Sequence, residues 1–329
     1  MPTKWRRDYC IVHKIEKRAG RTSWDIDFHI HTNCSDGQMP PEEIVRQAST
    51  LGYRAIAITD HDGTDGLQDA LEAGKKQGIQ VIPGIEFATE TEEHIGLHIL
   101  GYGMNWKAPA FQDAVRELAH RRRDRNERLL AVLADLGYEL SLEDLQKQQP
   151  NGYVGRPIIA RALVAKGYLE KPKDAFREGR FLGSPQAKAV KRVKIQAVRA
   201  IDLIREAGGI AVLAHPIQTR GIGETGSEAF YQRMGQILGD LKEAGLSGLE
   251  CYHPDQSREQ SARFLQLAEQ FGFCISRGSD FHGSAFSGSD LTAERLPGYE
   301  ALRFVDEVLR TETADRYTAK QNGCPQAAD

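Results

Sequence analysis

The segment DFHIHTNCSDG, Asp27 to Gly37, sets two histidines two positions apart and follows them with a carboxylate and a glycine turn. On a strand, alternate side chains share a face. Ile26, Phe28 and Ile30 are therefore expected on one side, and Asp25, Asp27, His29 and His31 on the other. The two imidazoles would sit roughly 7 Å apart along the strand, where each could give a nitrogen to one cation. An isolated pair of this kind is also compatible with two surface histidines on an edge strand, so the rest of the chain has to decide.

The same residue types recur after most of the other apolar runs. AIAITDHDG supplies Asp60, His61 and Asp62, and VIPGIEF supplies Glu86. HIGLHILGYG holds His98 on the same face as His94 and less clearly at a strand end. GIAVLAHP gives His215, and FCISRGSDFHG gives Asp280 and His282. Imidazole nitrogen with carboxylate oxygen, and no thiolate, suits zinc, manganese or iron rather than calcium or magnesium alone. The five cysteines are scattered and contain no CxxC pair, which argues against a thiolate zinc site and fits a reducing cytoplasm.

The elements that must position these groups are legible as a repeat. Strand-like runs fall near Asp25–His31, Arg54–Thr59, Gln80–Ile85, Ile95–Tyr102, Ile210–Ala214, Ser247–Tyr252 and Phe273–Ser276. Helical patterns lie between most of them: PPEEIVRQASTLG with its initial prolines and acids and Gly52 as a stop, then Asp65–Gln77, Ala197–Ala207 and Ser257–Phe271, each ending at glycine. Alternating strands and helices predict a parallel α/β architecture, with one strand too few for a regular eight-stranded barrel. In a parallel barrel the C-terminal strand ends form one rim. Six of the ten histidines, counting His98, could then converge there, with Glu86 arriving from a central strand as the expected bridging carboxylate.

One stretch breaks the repeat. Between Asn105 and Arg192 no strand is expected. A long helix is predicted over Ala108–Leu136, with shorter pieces near Leu142–Lys147, Pro157–Lys166 and Lys173–Glu178. The expected organisation is an N-terminal extension over 1–24, a barrel built from 25–105 and 194–310, a helical insertion domain over 106–193, and a polar tail over 311–329. The composition, 40% hydrophobic and 27% charged over 329 residues, is that of a globular protein, and a net charge of −3 provides no global basic field for nucleic acid. A local positive pocket for a nucleotide is not excluded. No apolar run reaches the length of a membrane span and the first twenty residues lack a signal-peptide core, so a cytoplasmic protein with no membrane partner is expected.

Together HIHTNCSDG, ITDHDG, GIE, HILGYG, AHP and GSDFHG, six motifs in order over roughly Asp25–Met104 and Lys194–Leu309, resemble the PHP superfamily, named for polymerase and histidinol phosphatase. The resemblance implies a distorted (β/α)7 barrel (the PHP fold) carrying a helical insertion, and a trinuclear centre of divalent metal ions (Mn, Zn or Fe). It implies nine ligands, His29, His31, Asp36, His61, Glu86, His98, His215, Asp280 and His282. It also implies a metal-bridging hydroxide as nucleophile, with no separate protein nucleophile. The layout is most similar to the branch containing nucleoside 3′,5′-bisphosphate phosphatases and 5′→3′ exonucleases. The activity expected from it is hydrolysis of a phosphate monoester on a nucleotide with a second phosphate, or at a 5′-phosphorylated RNA end. The implied partner is a small phosphorylated nucleotide or short RNA end, with no stable protein partner.

VGRPIIARAL resembles a GRPH-like stretch whose arginine meets substrate phosphate in that branch, so Arg156 is expected to bind phosphate. Ile158 stands where the histidine would be. Arg220, five residues after His215, is the second expected phosphate clamp, because a guanidinium fork donates to two oxygens at once. An ordinary surface arginine is the alternative at each position. Relatives often carry histidine where this chain has Gln256; either that position is no ligand here or His253 replaces it, and neither enters the expected ligand set. A histidinol-phosphate phosphatase shares the metal core but needs no distant clamp. A non-catalytic regulatory module is disfavoured by the complete ligand set. Asp60 and Asp62 read equally as acceptors that orient imidazoles and as turn formers. His94 is expected to face solvent and Cys34, although it sits in the metal loop, to be a small buried or half-buried thiol. ELAHRRRDRNER reads as a solvated helix with Glu117–Arg121 and Asp124–Arg128 pairs, with the option of aiming an arginine at a phosphate.

Overall fold

The computed structural model describes residues 26–283. The 1–24 extension, Asp25, the last part of the expected barrel (284–310) and the 311–329 tail lie outside the described residues. Seven strands follow the expected runs: β1 (Ile26–Ile30), β2 (Ala55–Ile58), β3 (Gln80–Glu90), β4 (Gly96–Tyr102), β6 (Ile210–Leu213), β7 (Gly248–Tyr252) and β8 (Cys274–Arg277). A two-residue strand, β5 (Ile195–Gln196), adds to the far end of β3. The order is β1-β2-β3-β4-β6-β7-β8, and a bridge from Ile30 to Phe281 brings the chain after β8 back to β1, nearly closing a barrel.

Alternation along the strands creates two layers. Ile26, Phe28, Ala55, Ala57, Leu100 and Val212 fill the interior. Ile56, Ile58, Ile99 and Leu213 face outward onto helices α1 (Pro41–Thr50), α2 (Leu67–Gln77), α7 (Ala197–Glu206), α8 (Glu228–Glu243) and α9 (Arg258–Phe271). Local signals end these helices where expected. The α9 helix starts in a reciprocal capping box between Ser257 and Gln260 and stops at Gly272, whose φ of 64° is left-handed. The α8 helix has no counterpart among the helices expected from sequence. Its apolar stripe (Phe230, Met234, Ile237, Leu238, Leu241) is clear, but Gly235 and Gly239 lower its intrinsic helix propensity.

Two expectations need correction. β4 runs antiparallel to both β3 and β6, so the sheet is not wholly parallel. The reversal follows from the short connection Thr91–Ile95, which allows a hairpin but no crossover. The facing of β1 also changes midway: its register with β2 shifts between Asp27 and Ile30, and Ile30 joins the outer layer while Ile26 and Phe28 stay inside. An irregularity of this kind reverses the pleat beyond it, so the three apolar residues do not share one side.

Between β4 and β5 the chain is helical, with α3 (Pro109–Asp135), α4 (Leu142–Gln148), α5 (Arg156–Ala165) and α6 (Pro185–Ala189). The first half of α3 packs Phe111, Val115 and Leu118 on the barrel's outer layer, and its second half puts Leu129 and Leu133 into a separate apolar cluster with Leu145, Ile159, Leu163 and Phe181. No helix among the described residues is long and apolar enough to cross a membrane.

Tyr102 crosses the barrel interior fully buried, and its hydroxyl donates to the Phe28 carbonyl at 2.8 Å. Tyr102→Phe keeps the packing and deletes that bond. It is expected to lower the unfolding free energy by about 1–2 kcal/mol, read as a lower denaturant midpoint at unchanged slope; an unchanged midpoint would refute the assignment.

Candidate metal centre

Glu86 is the middle of the site. It is fully buried in β3, flanked by β2 and β4. Backbone bonds fix its neighbours: Glu86 N–H donates to the Asp60 carbonyl at 3.2 Å, and Asp62 N–H donates to the Glu86 carbonyl at 2.9 Å. His61 is thereby pinned beside the carboxylate, its Nδ1 2.7 Å from Glu86 Oε2. His98 Nδ1 and His215 Nε2 reach Oε1 at 2.8 and 2.9 Å. His29 Nε2 stands 3.4 Å from Oε1, and His31 Nε2 3.3 Å from Oε2. The reversal of β4 explains His98. Running against its neighbours, β4 presents its beginning to the rim where the others end, and His98 pairs in register with Ala88, just past Glu86.

A second carboxylate, Asp280, places Oδ1 3.1 Å from His31 Nε2 and 3.4 Å from His29 Nε2. Asp36 Oδ1 lies 3.3 Å from His282 Nε2 and 3.8 Å from His61 Nε2. The nine residues expected as ligands thus occupy one cage, arranged as four overlapping groups whose donor atoms lie within 4.8 Å of one another. These groups are His31, Asp36, His61 and His282; His29, His31 and Asp280; His29, Glu86 and His215; and His61, Glu86 and His98. The His29 and His31 rings converge to 5.1 Å between centroids.

Holding this geometry costs the backbone. His215 has φ 23° and Asp280 φ 51°, in the region non-glycine residues rarely adopt. Gly278 permits the closest approach, since a Cβ there would lie 2.0 Å from the Cβ of His29.

The donor set fits divalent cations. His29 Nε2, His31 Nε2, His61 Nδ1, Asp36 Oδ1 and Glu86 Oε2 are all buried without a hydrogen-bond partner. Buried polar atoms normally find partners, and a cation would satisfy these together. Burial opposes ionisation of Glu86, yet His61, His98 and His29 hold its carboxyl well below the usual range. Burial, together with His282 and His61, lowers His31 to about 3, keeping it a neutral nitrogen donor.

Supporting residues lie behind the cage. Glu250, fully buried, accepts from His29 Nδ1 at 3.1 Å and from the His215 backbone N–H at 2.6 Å, fixing both histidines. It was not anticipated from sequence, although an acid on the otherwise apolar strand GLECY is the signal. Asp60 accepts from Thr32 N–H at 2.8 Å and Thr32 Oγ1 at 2.7 Å, so it ties down the loop after β1 rather than an imidazole. Asp62 is neither a simple turn former nor a histidine partner. Its Oδ2 accepts from Arg122 at 2.7 Å and Arg192 at 2.6 Å. Burial would raise the Asp62 carboxyl, but those two cations, Arg192 foremost, bring it to about 2.

The insertion covers this side of the cage. Gln149 Nε2 donates to the Ser35 carbonyl at 2.7 Å, and Tyr153 lies between the His61 ring, 6.3 Å away, and the Arg122 guanidinium, 4.1 Å above its face. The α3 helix is therefore only half solvated. Glu117–Arg121 pairs as expected at 2.9 Å, whereas Arg128 donates to the Asp124 carbonyl and not to its carboxylate. Arg122 and Arg125, by contrast, are 6% and 8% exposed. Arg156 is half-buried and commits Nη2 to the carbonyls of Ala187 and Val190. Arg220 stands exposed. His94 faces solvent, and Cys34 is a half-buried thiol pushed up to about 11 by burial and the Asp60 charge.

A nearly closed α/β barrel with this histidine–carboxylate cage defines a metal-dependent phosphoesterase, and comparisons with known proteins agree. The PHP domain family model matches residues 27–175. A phosphoribosyl 1,2-cyclic phosphate 1,2-diphosphodiesterase from Eggerthella lenta is 33% identical over 78% of this chain and 94% of its own length. A 3′,5′-nucleoside bisphosphate phosphatase from Chromobacterium violaceum is 29% identical over 83% of this chain and 93% of its own. The crystal structure of a putative metal-dependent phosphoesterase from Bifidobacterium adolescentis superposes with a TM-score of 0.73 at 28% identity, covering 88% of this chain and 96% of that one. The chain belongs to the PHP family and is a phosphoric ester hydrolase.

Manganese or zinc titrated into the protein is expected to raise its melting temperature in a concentration-dependent way. The stabilisation should approach about 2.7 kcal/mol at a hundredfold excess over Kd. Glu86→Ala removes a donor from two of the four groups and should abolish most of the rise. Equal shifts in both proteins would show that the cage is not where the ions bind.

Proposed function

We propose that this protein hydrolyses a phosphate monoester on a nucleotide that carries a second phosphate, a 3′,5′-bisphosphate nucleotide or a 5′-phosphorylated RNA end. The observation that carries this reading is the cationic wall beside the cage. Arg122, Arg125 and Arg192 lie next to it with Arg156 within electrostatic reach, and a single carboxylate, Asp62, pairs with Arg122 and Arg192. Burial, and after it the charges of Arg192 and Arg156, lowers Arg125 to about 10, a large departure for a guanidinium. The Nε atoms of Arg122 and Arg125 are buried without an acceptor. Leaving cations desolvated and under-compensated is costly, and a phosphate anion is the ligand that relieves it. Sequence pointed to Arg156 and Arg220 for this role; burial and position favour Arg125 and Arg122, with Arg156 behind them.

The residues divide the work. Glu86, Asp280 and Asp36 gather the imidazoles, Glu250 orients His29, and Asp62 aims Arg122 and Arg192. Four overlapping donor groups suit more than one cation, in keeping with three ions of manganese, zinc or iron. When bound, such ions supply activation of water and neutralisation of charge on phosphoryl oxygens, so no side chain is needed as nucleophile. Arg125 and its neighbours hold the phosphate that is not cleaved, which is positioning rather than chemistry. The related enzymes differ in the ester they are named for, a cyclic phosphodiester in one and a bisphosphate in the other. Substrate choice therefore rests on this wall. Histidinol phosphate, with one phosphate, leaves it unfilled. The five scattered cysteines, with no CxxC pair, are in keeping with a cytoplasmic setting.

Phosphate release should be fastest from adenosine 3′,5′-bisphosphate or a 5′-phosphorylated short RNA, compared at equal concentration with histidinol phosphate and with Glu86→Ala as blank. Arg125→Ala should lower kcat/KM for the preferred substrate by about 10- to 100-fold, the worth of one charge-assisted hydrogen bond. Preference for histidinol phosphate, or indifference to Arg125→Ala, would refute the substrate assignment.

A further inference from the structure

His253 lies in the turn after β7, 4% exposed, with its ring packed edge-on to His215 at 5.6 Å and to His29 at 6.4 Å. It is outside the four donor groups. Its Nδ1 accepts the backbone N–H of Asp255 at 3.1 Å. A backbone amide can only donate, so the Nδ1 lone pair is occupied and the ring proton sits on Nε2. Nε2 is buried without a hydrogen-bond partner of good geometry, and it lies 3.4 Å from Asp280 Oδ2. The other oxygen of that carboxylate, Oδ1, is the one directed at His31, His29 and His282, at 3.1, 3.4 and 3.6 Å.

The two oxygens of Asp280 are thus divided between different tasks. Asp280 also sits on strained backbone, at φ 51°, so its direction depends on what restrains the side chain. Gln256 does not take part: its amide donates to the Glu250 carbonyl at 3.5 Å and accepts from Ser261 Oγ at 3.3 Å, next to the start of α9.

We propose that His253 is a positioning residue, an N–H donor of fixed tautomer that holds Asp280 Oδ2 and so keeps Oδ1 turned toward His29 and His31. The proposal rests on the reading of the cage as the metal site. The same geometry excludes His253 as a further ligand, because its cage-facing nitrogen carries the proton. Groups that steer a metal ligand in this way typically change metal affinity by 10- to 100-fold when removed.

The test is metal affinity, measured as metal content after equilibration of the full chain in manganese or zinc buffered by a competing chelator. His253→Ala should weaken retention at least tenfold. His253→Gln, which restores an N–H donor of similar reach, should return it to within about threefold of wild type, as expected if the donor rather than ring volume matters. With substrate, His253→Ala should lower kcat more than it raises KM. Wild-type retention in His253→Ala, or a His253→Gln protein as weak as His253→Ala, overturns the proposal while the cage reading stands. A wild-type protein that takes up no metal overturns both.

Discussion

A carboxylate with no solvent exposure, Glu86, governs the architecture. Taking an ionised carboxyl out of water costs several kcal/mol even after relaxation, and the fold offsets this by delivering five imidazoles to it from four separate segments. The backbone participates as well: residues Asp60 and Asp62 bond to the main chain on both sides of Glu86, so the position of His61 follows from that of the acid. The same concentration of donors that makes the carboxylate tolerable makes the site a receptor for positive ions, because His29 Nε2, His31 Nε2, His61 Nδ1, Asp36 Oδ1 and Glu86 Oε2 remain buried there without a hydrogen-bond partner.

Meeting that demand requires departures from regular structure. The register shift in β1 turns the chain so that Ile30 packs outward and the histidines on either side of it point into the cage. The reversed β4 lets His98 reach the rim from the beginning of a strand. Positive φ at His215 and Asp280 bends the chain at the ends of the last strands. Strain of this kind persists only where surroundings over-determine it, and here Glu250 on one side and the Asp280 contacts on the other provide the restraint.

The insertion supplies the opposite charge. Where the cage collects acids and imidazoles, α3 and the segment before β5 contribute arginines. Asp62 is the hinge between the two, next in sequence to His61 and paired with Arg122 and Arg192. Tyr153 joins the same boundary, with an imidazole on one side and a guanidinium on the other. The fold thus sets a cluster of cations beside a cage of acids and imidazoles, two regions of opposite charge at one boundary.

The types of chemistry in this chain were set by sequence alone. Each cage residue sits beside an apolar strand run or a turn, so its approximate depth in the fold follows from local pattern, and the strand, helix and insertion layout follows from periodicity. Orientation was not local. That Ile30 leaves the face of Phe28 depends on pairing with β2, and that His98 belongs to the rim depends on β4 lying between β3 and β6 in the reverse sense. The arginines show the limit most clearly. In sequence Arg122 and Arg125 belong to a charged run with helix-pair partners, and Arg220 stands nearer a cage histidine. Only packing of the insertion against the loop after β2 buries the first two and leaves the third in solvent. Burial and charge proximity are properties of segments far apart in the chain. No window of sequence contains them, so tertiary structure alone decides which cations are buried beside the cage and which face solvent.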